Sequence, residues 1–299
     1  MLTRRGMLAS LAVALTARAA RAGCVSGSSE YFDAEARRMR EVAVAAGDQA
    51  YGAVVVLDGC VVGFGSSRVV VDNNADAHAE RVALWDAQKR LGRSDLAGAQ
   101  IHSTSRPCAI CQAALAEAGV ARMHFVGGTQ DAVNAMGETA LLIAVREGRT
   151  EAARAMIAAG ADINAQAKNQ DTPWLLAGAL GRAEILRAMI PAGPDFAIRN
   201  RYGGNALIPA CERAHVEAIK VLLGTRIDVN HVNNLGWTCL LEIAILGDGG
   251  PRHQEAARLV LAARADPNLA DGNGVTALAH ARAAGHGALA EIIAGFGGK

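Results

Sequence analysis

Apolar positions along this 299-residue chain follow two different rhythms. In the first, a continuous apolar run from Ala53 to Leu57 and a second from Val61 to Phe64 flank the pair Asp58-Gly59. Short apolar runs on either side of an Asp-Gly pair predict two strands joined by a hairpin, because both turn residues tolerate positive φ. Helical spacing takes over from Ala77 to Leu91, Ile101 to Ser103 predicts a further strand, and Pro107 marks the start of the next helix, where proline suits the first turn.

The second rhythm is much longer. Thr139-Ala140-Leu141, Thr172-Pro173-Trp174, Asn205-Ala206-Leu207 and Thr238-Cys239-Leu240 recur every thirty-three residues, and Thr276-Ala277-Leu278 follows thirty-eight later. Asp162, Asp195, Asp228 and Asp266 repeat at intervals of thirty-three, thirty-three and thirty-eight. The period, the threonine-led boxes and the turns Gly160-Ala161-Asp162-Ile163-Asn164 and Arg264-Ala265-Asp266-Pro267-Asn268 resemble the ankyrin repeat family. The resemblance implies an all-α ankyrin solenoid of about five repeats over 131–299, without chemistry of its own, that binds an unidentified protein partner or braces what precedes it. Each repeat would then be two antiparallel helices and a projecting turn, with Ala144, Ala155, Ile185, Leu222, Ile243 and Leu259 buried between neighbours. The five-residue excess falls at Gly247–His253, between the two helices of the fourth period. Trp237, where the family exposes a turn residue, and Tyr202 are candidate protein-contact positions; Trp237 packed on its neighbour is the alternative. Trp174, His215 and His280 read as core or cap residues.

Candidate chemistry lies in the first half. His78-Ala79-Glu80 and Pro107-Cys108-Ala109-Ile110-Cys111 match the H-x-E…P-C-x-x-C signature of zinc-dependent nucleobase deaminases. One imidazole and two thiolates fill three tetrahedral positions on Zn²⁺ and leave the fourth for water, as a catalytic site requires. Glu80 is then free to move protons. A lone C-x-x-C could instead be a redox pair or half of a structural zinc site. Both fragments are predicted at helix N-termini, a location that favours thiolate over thiol.

From about Tyr31 to Val126 the chain resembles the cytidine and deoxycytidylate deaminase superfamily, in its bacterial guanine, cytosine and tRNA-adenosine deaminase branch. Tyr51-Gly52-Ala53-Val54-Val55-Val56 and the run from Asp72 to Glu80 carry the likeness, and the run from Ala87 to Leu96 leans towards the guanine type. The resemblance implies an α/β three-layer domain over 23–130 with a mixed sheet truncated to about four strands. It makes His78, Cys108 and Cys111 the zinc ligands and Glu80 the proton shuttle. Ala53, Ser67 and Arg106 are candidate substrate-binding residues. Where relatives carry G-x-N this chain has Gly65-Ser66-Ser67, and Arg106 stands where that branch commonly has glutamate. A hydroxyl cannot reproduce an amide's paired donor and acceptor, so the base stays open.

The N-terminus predicts an export signal over 1–22. Arg4-Arg5 resembles a twin-arginine motif, Met7 to Leu15 is apolar but too short to span a bilayer, and Ala20-Arg21-Ala22 is an A-x-A-like cleavage site. A periplasmic or secreted protein without a membrane anchor is expected. Loss of four leader arginines takes the formal charge from +1 to −3, and residues 23–133 hold ten basic and thirteen acidic side chains. Polynucleotide binding needs clustered cations against phosphate, so a small nucleobase or nucleoside is favoured over nucleic acid. Of six cysteines, Cys24, Cys60, Cys211 and Cys239 show no framework spacing; the last three are expected as small buried residues rather than bridges.

Three functions fit these features. The first is an exported zinc-dependent deaminase, of guanine or cytosine type, with an ankyrin array for protein contacts. The second is a periplasmic ankyrin interaction protein with an inactive deaminase-like domain. The third is a toxin-like deaminase aimed at nucleic acid or nucleotides.

Overall fold

A computed structural model describes residues 27–299. The leader over 1–22 and Cys24 lie outside the described residues. The chain divides into two compact units: one comprises the described residues up to Cys111 together with Met123–Gln130, and the other comprises Gln112–Arg122 with Asp131–Lys299.

In the first unit, helix α1 (Ser29–Ala45) precedes strands β1 (Gly52–Leu57) and β2 (Cys60–Ser66). Their hairpin turns at Asp58 and Gly59, with φ of 51° and 74°, as the Asp-Gly pair predicts. Helix α2 (Ala79–Leu91), strand β3 (Gln100–Ser103), helix α3 (Ala109–Glu117), whose residues from Gln112 onward are counted in the second unit, and strands β4 (Arg122–Phe125) and β5 (Gly128–Gln130) follow along the chain. The mixed sheet has the order β2-β1-β3-β4-β5, with β1 antiparallel to both β2 and β3. It carries one strand beyond the four or so expected: the three-residue β5 returns along β4 as a short hairpin.

Val54, Val55 and Val56 are buried, as a strand covered on both faces requires. Helix α2 packs on β2 at unusually short range. A Cβ on Gly63 would stand 2.3 Å from the Ala83 carbonyl oxygen, and one on Gly65 would stand 2.0 Å from that of Ala79. Only glycine admits the helix this close, which fixes where its N-terminus lies.

The second unit contains five helix pairs: α4 (Ala140–Glu147) with α5 (Thr150–Ala158), α6 (Pro173–Ala179) with α7 (Ala183–Met189), α8 (Leu207–Glu212) with α9 (Val216–Leu223), α10 (Cys239–Leu246) with α11 (Pro251–Ala262), and α12 (Ala277–Ala283) with α13 (Gly287–Gly295). Thr139, Thr172, Thr238 and Thr276 cap the first helix of their pairs through their hydroxyls, which explains the recurring threonine. Ala144, Ile185, Leu222 and Ile243 are buried as expected, whereas Ala155 and Leu259 are half-buried. Trp174 is buried edge-on to Phe196. The five-residue excess emerges as a longer loop at Gly247–Gly250 and a twelve-residue α11.

The expectation for the cysteines is corrected. Cys211 on α8 and Cys239 on α10 are buried, but they form a disulfide, because stacking of neighbouring first helices brings their Cα atoms to 5.5 Å. Cys60 is disulfide-bonded as well. Among the described residues, no helix is long and apolar enough to cross a membrane.

Candidate metal centre

His78 is the N-cap of α2, with extended φ and ψ of −62° and 150°, yet its side chain makes no capping bond. The ring is thereby released toward α3, where Cys108 stands just ahead of the helix and Cys111 lies in its first turn. Nδ1 of His78 lies 3.5 Å from Sγ of Cys108 and 3.5 Å from Sγ of Cys111. All three ligand atoms fall within 4.8 Å of one another. Zinc at its usual distances, about 2.0–2.1 Å to nitrogen and about 2.3 Å to sulfur, holds tetrahedral N and S ligands roughly 3.5 Å apart. The donor set and its spacing therefore fit the ion.

The protein's own charges and burial run against the thiolate that zinc requires. The Cys111 thiol is pushed well up, first by burial, then by the adjacent Glu80 carboxylate and then by Cys108. Burial and a neighbouring anion thus outweigh the helix N-terminus, which by sequence alone favours the thiolate. A divalent cation between the sulfurs reverses that balance, because it stabilises the thiolate directly.

Glu80, in the first turn of α2, is only 4 % exposed. Its Oε1 accepts a 2.8 Å hydrogen bond from Oγ of Ser103, the last residue of β3. Ser103 is itself buried and, through the β1–β3 register, faces Ala53. Sequence reasoning missed Ser103, whose one signal is a hydroxyl at the end of a predicted strand.

The other candidates separate. Ala53 is fully buried beside Ser103, while Arg106 is exposed. Ser67 is buried, and its hydroxyl donates to Oδ1 of Asp48 at 2.7 Å. Asp48 also accepts from the backbone N–H groups of Gln49, Val70 and Val71. Partial desolvation raises its pKa, but these four bonds overcome that and hold it at about 2. Ser67 thus helps to organise the loop leading to His78. In the second unit, Tyr202 and Trp237 line one cavity.

Comparison with known proteins assigns both units. Residues 26–127 match the cytidine and deoxycytidylate deaminase zinc-binding region, 136–168 match an ankyrin repeat, and 174–271 match three further copies. The ankyrin repeat protein YahD of Escherichia coli (strain K12) is 39 % identical over 162 residues, covering 54 % of this chain and 81 % of that protein. A tRNA-specific adenosine deaminase of Agrobacterium fabrum (strain C58 / ATCC 33970) is 39 % identical over 80 residues, 27 % of this chain and 51 % of its own. A guanine deaminase of Bacillus subtilis (strain 168) is 32 % identical over 85 residues, 28 % of this chain and 54 % of its own. The chain thus spans about half the length of these two deaminases.

Proposed function

Since the chain belongs to the ankyrin repeat proteins and joins those repeats to a domain of the cytidine and deoxycytidylate deaminase superfamily, we propose that it is a zinc-dependent hydrolytic deaminase of a small nucleobase or nucleoside, of guanine or cytosine type, with an array that binds a protein partner. The observation that carries this reading is Glu80: a buried carboxylate, anchored by Ser103, beside a His/Cys/Cys triangle of zinc dimensions. His78, Cys108 and Cys111 would hold the ion. Zinc, when bound, supplies the Lewis acidity that makes a hydroxide nucleophile accessible near neutral pH. With Oε1 of Glu80 fixed by Ser103, Oε2 is the atom that carries one proton of the attacking water to the ring nitrogen and then its second proton to the departing amine, which leaves as ammonia. The excess of acidic over basic side chains in 23–133 disfavours a polyanionic substrate and supports a small one.

We place the protein in an oxidising compartment. The Cys211–Cys239 disulfide and the bonded Cys60 support that reading, as does the twin-arginine-like leader. A route that carries folded proteins lets Cys108 and Cys111 load metal before they meet an oxidant.

One observation favours the second reading, an ankyrin interaction protein with an inactive deaminase-like domain: the short span of the deaminase match against the length of those relatives. Incubating the zinc-loaded full-length protein with guanine, cytosine, adenine and their nucleosides, and following ammonia, separates the two. Release from one of them supports the enzyme; silence from all, with zinc at full stoichiometry, leaves the interaction protein.

A further inference from the structure

Within the second unit, a cavity of about 260 Å³ opens between the third and fourth repeats, bounded by α8, α10 and the turns that precede them. Its floor carries an anomaly. Residues at one position of the first helix in successive repeats are Ile143, Leu176, Pro209 and Glu242, with His280 in the fifth. Glu242 is 5 % exposed. Its Oε1 accepts from Nδ2 of Asn233 at 2.9 Å, and among the described residues no cation forms an ion pair with it. Glu212, at the end of α8, faces the same space, and among the described residues it forms no ion pair either. The fifth repeat shows what a satisfied version looks like: there His280 meets Asp271 at 2.8 Å.

A carboxylate this deeply buried with no ion pair is costly, and groups perturbed in this way cluster at functional sites. The walls suit a cation. Trp237 and Tyr202 present aromatic rings, and Leu235 and Leu246 leave exposed apolar surface at the rim. Aromatic faces attract ammonium and guanidinium groups, and apolar rims accept the methylene stems that carry them.

We propose that this cavity is a binding site for a lysine or arginine side chain presented by a partner protein, with Glu242 and Glu212 as its counter-charge and Trp237 as its stacking wall. The proposal rests on the reading of the repeats as a protein-binding array and adds the chemistry of its partner.

The remaining charged groups around Glu242 are already engaged. Arg213 donates to the Ala179 carbonyl at 2.7 Å, and Arg201 stacks on Tyr202 with its guanidinium carbon 4.7 Å from the ring centre. Burial, and after it the charge of Glu212, holds the Glu242 carboxyl at about 7, against the opposing pull of Asn233 and Arg213. Capture of a cation therefore strengthens as pH rises through neutrality.

The test uses the full-length protein and the capped tripeptides Ala-Arg-Ala, Ala-Lys-Ala and Ala-norleucine-Ala, read by NMR through the indole N–H of Trp237. The expected result is a saturable shift with the arginine or lysine peptide, at concentrations on the order of millimolar for so small a probe. It should be absent with norleucine and weakened by at least about tenfold in Glu242→Gln, a variant whose amide keeps the Asn233 bond. A melting temperature no lower than the parent's shows that this variant is folded. An equal shift with norleucine, or an undiminished one in Glu242→Gln, would overturn the cation site and leave the repeats a peptide-binding surface. Silence toward all three peptides would overturn the site too and count against the array as a peptide binder.

Discussion

Ser103 donates its hydroxyl proton to Oε1 of Glu80 across 2.8 Å, and it does so from a strand, whereas Glu80 belongs to a helix twenty-three residues earlier in the chain. The bond orients the carboxylate without neutralising it. Replacement of Ser103 by alanine should leave zinc content and melting temperature near the parent's, while lowering kcat by roughly 10–100-fold, the usual effect of losing such a support. Ser103→Thr, which keeps the hydroxyl, should recover most of it. Equal kcat in parent and alanine variant would deny Ser103 a positioning role.

Glu80→Gln is expected to fold and bind metal normally yet lose on the order of 10²–10⁴ in turnover, since an amide cannot take up and return protons. Ammonia release at the parental rate would mean that another group carries the protons.

Purified protein should contain about one zinc per chain. Cys108→Ala should abolish it, which elemental analysis after gel filtration would show. Stoichiometric zinc in that variant would place the metal elsewhere.

Stability of the repeats should depend on pH through Glu242. Burial raises its carboxyl from the ordinary 4.5 to about 7, so the folded chain holds a proton that the unfolded chain has lost. The associated stability is complete below about 4.5 and disappears as pH rises through about 7. Glu242→Gln should therefore melt higher than the parent at pH 8 and close to it at pH 4. Parallel melting curves at both values would indicate that the carboxyl is not held protonated.

Export should require the paired arginines. With Arg4 and Arg5 both changed to lysine, full-length precursor should accumulate inside the cell, because the receptor reads the pair as an address. Mature protein appearing outside at the usual level would point to the general secretory route.

What could be read in advance followed short-range rules. The Asp58-Gly59 turn, the helix opening after His78 and the five threonine-led or asparagine-led boxes each depend on neighbours within a few residues. The grouping of His78, Cys108 and Cys111, which could hold a metal, was legible because its residue types and spacing are those zinc requires. Ser103 and Glu80 meet only through packing of a helix on a sheet, and nothing local announces that. Ser67 looked like a hydroxyl available to a substrate; its commitment to Asp48 spans nineteen residues and is again tertiary. Cys211 and Cys239 stand twenty-eight residues apart, five short of the repeat period, and only the stacking of α8 on α10 reveals them as partners.

That bond has a mechanical consequence. A solenoid ordinarily unzips from its ends, one repeat at a time, because each repeat holds only its neighbours. A covalent staple between the third and fourth repeats merges them into one opening unit, and closing a loop of that length is worth about 3–4 kcal/mol. The fifth repeat can fray alone, but the walls of the Glu242 cavity cannot part while the staple holds. Whatever rests between them meets a cleft of fixed width, so little ordering remains to be done at the moment of contact.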